Sequence, residues 1–237
     1  MPGLLMPIGG AEDKGETCRI LAHFVEQCGG SAAHIVIIPS ASTIPDDMAC
    51  TYQRLFYRLG VRYVTILHPA NRQEANQNVF GKVLYGATGV FITGGDQMRL
   101  MSLIKETRLA ETLYECFLNG VHIAGTSAGA AVMSQHMIAY GRSGAVSSPD
   151  MVKITAGLGL TRTFIIDQHF TQRNRLGRLK AAVALHPDLT GVGIDEDTAL
   201  IIGPDAELQV IGSGTVTLVN EQDGQFVINT SRMKALS

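Results

Sequence analysis

Residues 121–134 read VHIAGTSAGAAVMS. The apolar run ahead of Gly125 has strand length, and the alanine-rich run after Gly129 has helix-forming composition. Between them lies Gly125-Thr126-Ser127-Ala128-Gly129, a Gly-x-Ser-x-Gly turn. In a strand–turn–helix setting this pattern strains the serine backbone. It also exposes the hydroxyl at a sheet edge, over the N-terminus of the next helix. The flanking glycines avoid clashes inside the turn. A small-residue turn that lets a helix pack close to a sheet is the alternative reading.

The same grammar repeats outward from this turn. Strands are expected at 4–8, 34–38, 61–67 and 90–93, with helices at 16–27, 47–59 and 71–85, the last interrupted by Gly81. A helix or helix pair fills 97–118, and 128–134 is helical. Uninterrupted apolar strands alternating with helices predict an α/β fold, a mostly parallel sheet flanked by helices on both faces. Ligands in such folds bind beyond the carboxyl ends of the strands. Three strands end there in small, glycine-rich loops: Gly9-Gly10, Gly94-Gly95-Asp96 and the Ser127 turn.

After Gly157 the pattern changes. A strand at 164–167 and a helix at 173–185 precede short strands at 191–195, 198–202, 208–211, 216–219 and 225–228. These read as an antiparallel C-terminal extension of the same sheet. With no Pro- or Ser-rich linker and no repeat, residues 1–237 are expected to form a single domain.

Composition narrows the function. Charged residues make up only 17% of the 237, which excludes a long disordered chain of the high-charge type. A net charge of -2 gives no bulk attraction to nucleic acid or anionic lipid. Yet arginine outnumbers lysine by 13 to 6, and three arginines fall within six positions. The four cysteines (Cys18, Cys28, Cys50, Cys116) show no C-x-x-C spacing and read as free thiols of a reducing compartment. The N-terminal stretch lacks a basic region and a signal-length apolar run, and no run approaches the ~18 residues of a membrane span. A cytoplasmic protein is expected. Nucleotide-loop and metal-ligand spacings are missing, so neither a cofactor nor a metal is expected.

A nucleophilic serine needs a base and an orienting carboxylate. Of seven histidines, six sit within an apparent helix or strand or at its end, without recurring polar company. His169 follows a strand (FIIDQ) and precedes a helix, with Asp167 and Gln168 beside it, which puts it at the same edge as Ser127. A satisfied loop histidine is the alternative. Asp195-Glu196-Asp197 also follows a strand, and any of the three could hold the imidazole; a solvated acidic loop is the plainer reading. The order Ser, His, acid departs from the Ser, acid, His order of the α/β-hydrolases. Arg173, Arg175 and Arg178 begin four residues after His169. Guanidinium forks bind carboxylates in pairs, so they suit a pocket for an anionic substrate, or else form a helix-surface charge run.

Taken together, IGGAED, TGGDQMRL, AGTSAGAAVMS, IDQHFTQRNRLGRL and GVGIDEDTAL resemble the cyanophycinases of serine peptidase family S51, over nearly the whole chain. The resemblance implies a flavodoxin-like, class I glutamine amidotransferase-like fold. It implies Ser127 as nucleophile, His169 as general base and Glu196 as third member of the triad. It also implies Gln97, Asp167, Gln168, Arg173, Arg175 and Arg178 as substrate contacts, no cofactor and a homodimer. The N–H groups of Gly95 and Ala128 would suit an oxyanion hole. The implied substrate is cyanophycin, a poly-aspartate backbone with arginine on each β-carboxyl, cut from its carboxyl end into β-Asp-Arg dipeptides. On this expectation the arginines meet substrate carboxylates and Asp167 a substrate guanidinium. A dipeptidase E-like enzyme acting on Asp-X peptides is the alternative, and a catalytically silent binder of Arg- or Asp-rich polymers is another. The Ser- and Gly-rich loop 141–156 fits no motif; a lid or a subunit contact is expected of it.

Overall fold

A computed structural model describes residues 1–222 and 224–232. In chain order the elements are β1 (Leu5–Ile8), α1 (Arg19–Gln27), β2 (His34–Ile38), α2 (Pro45–Arg58), β3 (Tyr63–Ile66), α3 (Arg72–Ala75) and α4 (Asn78–Tyr85). Then come β4 (Gly89–Ile92), α5 (Gln97–Ile104), α6 (Arg108–Leu118), β5 (His122–Thr126), α7 (Ala128–Ala131), β6 (His136–Gly141) and β7 (Val152–Ala156). The rest are β8 (Phe164–Gln168), α8 (Leu176–Leu185), β9 (Thr190–Ile194), β10 (Thr198–Ile202), β11 (Leu208–Gly212), β12 (Thr215–Gln222) and β13 (Gln225–Arg232).

A seven-stranded sheet runs β11-β10-β1-β5-β4-β2-β3. Its members β1 to β5 pair in parallel, and β10 and β11 add to it antiparallel. Successive side chains of a strand face opposite sides, and the core follows that rule. Ile35 and Ile37 of β2 pack with α1 and α2 (Leu21, Phe24, Phe56). Val36 and Ile38 pack on the other side with α5 and α6 (Leu100, Ile104, Leu113).

The C-terminal half corrects one expectation. Only β10 and β11 extend the main sheet. The strands β13-β12-β9-β8 form a second sheet of four, in which β8 and β9 are parallel. Their parallel pairing needs a crossover, and α8 supplies it. One face of the second sheet (Ile166, Val192, Ile194, Val216) joins the core beneath α5 to α7. The other (Ile165, Val219) packs against α8 through Leu179 and Val183.

Several helix boundaries also differ from expectation. α7 ends at Ala131 rather than at 134, where the N–H groups of Met133 and Ser134 turn to the carbonyls three residues back. α1 starts at Arg19 because Asp13 gathers the N–H groups of Gly15 and Cys18 and the Thr17 hydroxyl into a turn that competes with helix. The 71–85 segment breaks at Asn76-Gln77, where the Asn76 side chain accepts from Arg108 N–H at 3.2 Å. Gly81 lies inside α4, close against Thr112 of α6. α8 starts at Leu176, so Arg173 and Arg175 precede the helix rather than open it. Residues 136–156 form the hairpin of β6 and β7.

Candidate active site

Ser127 sits between β5 and α7 at φ 54°, ψ −111°, a conformation that costs energy for a residue with a Cβ. Its N–H bonds Ile8 O at 2.9 Å, and its carbonyl accepts from Ala130 and Ala131 at 3.0 and 3.1 Å. The turn closes tightly: a Cβ on Gly129 would lie 2.2 Å from Ile92 O. Gly94 of the neighbouring β4 loop stands against Ser127, and Gly95 follows at φ 143°. That loop is fixed by Asp96 N–H on Ala41 O at 2.9 Å. Ala128 opens α7, and as the first helical residue its N–H has no partner within the helix.

His169 follows β8 with φ 48°. Its Nε2 is 3.0 Å from Ser127 Oγ, and its Nδ1 is 2.5 Å from Glu196 Oε1. This arrangement fits the tautomer with hydrogen on Nδ1, which leaves Nε2 to accept the serine proton. The His169 N–H bonds Gly9 O at 2.8 Å. Gly10 lies directly under the ring: a Cβ there would meet imidazole Cε1 at 2.4 Å. Burial pushes the His169 pKa down; Arg173 and Arg175 act the same way, while the hydrogen bond and charge of Glu196 oppose them.

The three acids divide. Glu196, about a third exposed, reaches the imidazole. Asp195 is buried and accepts from the N–H and hydroxyl of both Thr171 and Thr215. Burial raises its pKa, but those hydrogen bonds outweigh it and bring the carboxyl below its ordinary value. Asp197 accepts from Asp13 N–H at 2.8 Å and holds the neighbouring loop.

The remaining expected residues also gather here, in unequal states. Gln168 Oε1 lies 3.5 Å from Ser127 Oγ and accepts from Arg175 at 3.1 Å. Gln97 Nε2 donates to Ala139 O at 2.7 Å and so ties α5 to β6. Arg173 is exposed. Arg175 and Arg178 are buried, and both are turned onto Asp167. Arg178 Nε donates to Asp167 Oδ2 at 2.6 Å, and its NH2 to Oδ1. Asp167 is 1% exposed with both oxygens engaged by protein, so its contacts do not support the expected meeting with a substrate guanidinium. Arg175 Nε is buried without a partner among the described residues.

The sequence reading missed the underside of the site. Glu12 and Thr126, bonded to each other, were not among the expected site residues, and the Gly9-Gly10 loop, expected only as a strand end, accepts from the His169 and Asp197 N–H groups. A Gly-Gly pair at a strand end followed by two acids was the available signal. Among the described residues, no group of three or more His, Cys, Asp or Glu side chains is arranged to hold a metal.

The family model of peptidase family S51 matches residues 4–210. The chain belongs to peptidase family S51. It is therefore a peptidase, of the serine type that the family defines. A cyanophycinase from Synechococcus elongatus is 46% identical over 225 residues, covering 94% of this chain and 70% of that one. A peptidase E from Nostoc sp. (strain PCC 7120 / SAG 25.82 / UTEX 2576) is 27% identical over 209 residues, covering 80% and 77%. The crystal structure of a peptidase from an acI-B1 Actinobacterium shares the fold with a TM-score of 0.70, at 24% identity, over 96% of this chain and 94% of that one. Among the described residues of this peptidase, no helix is long and apolar enough to cross a membrane.

Proposed function

We propose that this peptidase hydrolyses the poly-aspartate backbone of cyanophycin from its carboxyl end, releasing β-Asp-Arg dipeptides. Ser127 is the nucleophile, His169 the general base and Glu196 the group that orients it. The observation carrying the chemistry is the continuous Ser127–His169–Glu196 hydrogen-bond chain at a strained strand-to-helix turn. The 46% identity to a cyanophycinase, against 27% to a peptidase E, supports the substrate.

His169 Nε2 takes the Ser127 proton as Oγ bonds to the backbone carbonyl carbon. The N–H groups of Gly95 and Ala128 hold the oxyanion. His169 then gives the proton to the leaving amine as the C–N bond breaks. Water, deprotonated by His169, attacks the ester; the acid product leaves and Ser127 regains its proton. Exposed Arg173 meets a substrate carboxylate. Gln97, Gln168, Arg175 and Arg178 shape the pocket wall, with Asp167 fixing the two buried arginines. The same reading includes a cytoplasmic location and a homodimer, which cell fractionation and gel filtration test.

The decisive test incubates insoluble cyanophycin with wild type and Ser127→Ala and identifies products by mass spectrometry. Wild type should release β-Asp-Arg. The variant should lose about 10⁴-fold or more of kcat, as triad deletions do. Turnover retained by the variant overturns the nucleophile. Cleavage confined to small Asp-X peptides overturns the substrate.

A further inference from the structure

We infer that Glu12 is a positioning residue for the reaction: from beneath the site, it fixes the serine turn against the histidine and acid loops. The inference rests on the reading of Ser127, His169 and Glu196 as the triad.

Glu12 lies in the loop after β1, and its side chain is 0% exposed. A carboxylate this deep is costly unless its oxygens are bonded. Both are. Oε1 accepts from the Tyr52 hydroxyl and is 2.9 Å from Lys14 Nζ. Oε2 accepts from Thr126 Oγ1 at 2.5 Å. Tyr52 is a firm anchor, 1% exposed on α2, with its ring 4.6 Å from that of Phe91. Burial and the adjacent Glu12 carboxylate both raise the Tyr52 pKa, so its hydroxyl stays a donor. Thr126 is the residue immediately before the strained Ser127. Glu12 thus links a rigid helix to the strand end that carries the nucleophile.

The backbone around Glu12 holds the other two loops. Ile8 O accepts from Ser127 N–H, Gly9 O from His169 N–H and Gly10 O from Asp197 N–H, at 2.9, 2.8 and 2.8 Å. Asp13 N–H reaches Asp197 Oδ1 at 2.8 Å. Residues 8–13 therefore bond all three loops that bear the triad. Ala11, in the middle, has φ 48°, a strained value for a non-glycine residue that surrounding contacts must hold. The adjacent Glu12 side chain, pinned at both oxygens, is a contact of that kind. Misplacing reacting groups by about 1 Å costs on the order of 100-fold in rate. The effect of releasing Glu12 should therefore fall on kcat and not on KM.

The test measures two quantities for each variant. One is the second-order rate at which a phosphonofluoridate labels Ser127, read by intact mass; this needs no substrate. The other is kcat and KM for release of β-Asp-Arg. Both are expressed per folded molecule, from far-UV circular dichroism. Glu12→Ala should label 10- to 100-fold more slowly and lose a similar factor in kcat, with KM within about twofold. Glu12→Gln, which still bonds both hydroxyls, should recover to within fivefold of wild type. Thr126→Val should slow labelling at least fivefold, and the double variant Glu12→Ala/Thr126→Val should be no slower than Glu12→Ala. Labelling of Glu12→Ala within fivefold of wild type, or a loss confined to KM, overturns the inference. If Glu12→Ala does not fold, Thr126→Val decides by the same fivefold criterion. If wild type is labelled elsewhere than Ser127, the triad reading itself fails; if Ser127 is labelled but the variants react normally, only the role of Glu12 fails.

Discussion

His169 is held between opposing influences, and their balance sets a pH profile. Burial disfavours the imidazolium, Arg173 and Arg175 add to that, and Glu196 favours it. The net result lies below the ordinary value of 6.5. A general base must be neutral, so labelling of Ser127 should fall only as pH drops through a value below 6.5. Replacing Arg173 with Met removes a charge that repels the imidazolium. The pKa then rises, and the acid limb of the labelling profile should move to higher pH. A limb that stays put or moves down rules out this electrostatic role for Arg173. At this scale the sequence displayed Ser127 and His169, because each follows an apolar strand at a small or polar turn. It left Glu196 level with its two acidic neighbours. The distinction lies in where each carboxylate points: Asp195 is consumed by Thr171 and Thr215, and one residue later the chain faces the imidazole.

At the scale of elements, β8 and α8 are fastened by Asp167. Its carboxylate takes Nε and NH2 of Arg178, and NH1 of Arg175 at 3.3 Å. Breaking a buried pair from one side leaves an uncompensated charge, which costs about 3–5 kcal/mol. Asp167→Ala should therefore lose that much stability in urea unfolding. A loss below ~1 kcal/mol would mean that water or another acid already serves the arginines. The arginine run was plain in the sequence; its division of labour was not. Spacing of 173, 175 and 178 suggested a helix start, but the turn through His169 and Asn174, both at φ 48°, delays the helix to Leu176. That turn leaves Arg173 exposed and sends Arg175 and Arg178 inward. Local propensity does not encode such a turn, because the bonds that hold it come from Gly9, Asp195 and other distant residues.

Over the whole molecule, the site straddles two sheets. Ser127 leaves β5 of the seven-stranded sheet, His169 leaves β8 of the four-stranded sheet, and Glu196 lies on the crossing between β9 and β10. The parallel half was legible because fully apolar strands alternate with amphipathic helices. The second sheet was not: β9 and β10 are both buried and only three residues apart, a spacing that suggests a hairpin, yet they pair with different neighbours. Burial pattern records that a strand is covered, not which strand lies beside it. Joining the sheets is one apolar cluster in which Ile166, Val192, Ile194 and Val216 meet Val90, Ile92, Ile123 and Leu200. A core shared in this way should make the two sheets unfold as one cooperative unit. Urea transitions followed by Ser127 labelling, far-UV circular dichroism and tyrosine fluorescence should then coincide. Ile194 is fully buried within the shared cluster, so Ile194→Ala should cost roughly 2–5 kcal/mol. It should also move all three curves together. If labelling is lost in an earlier, separate transition while most of the dichroism remains, the four-stranded sheet unfolds on its own and the single-unit reading fails.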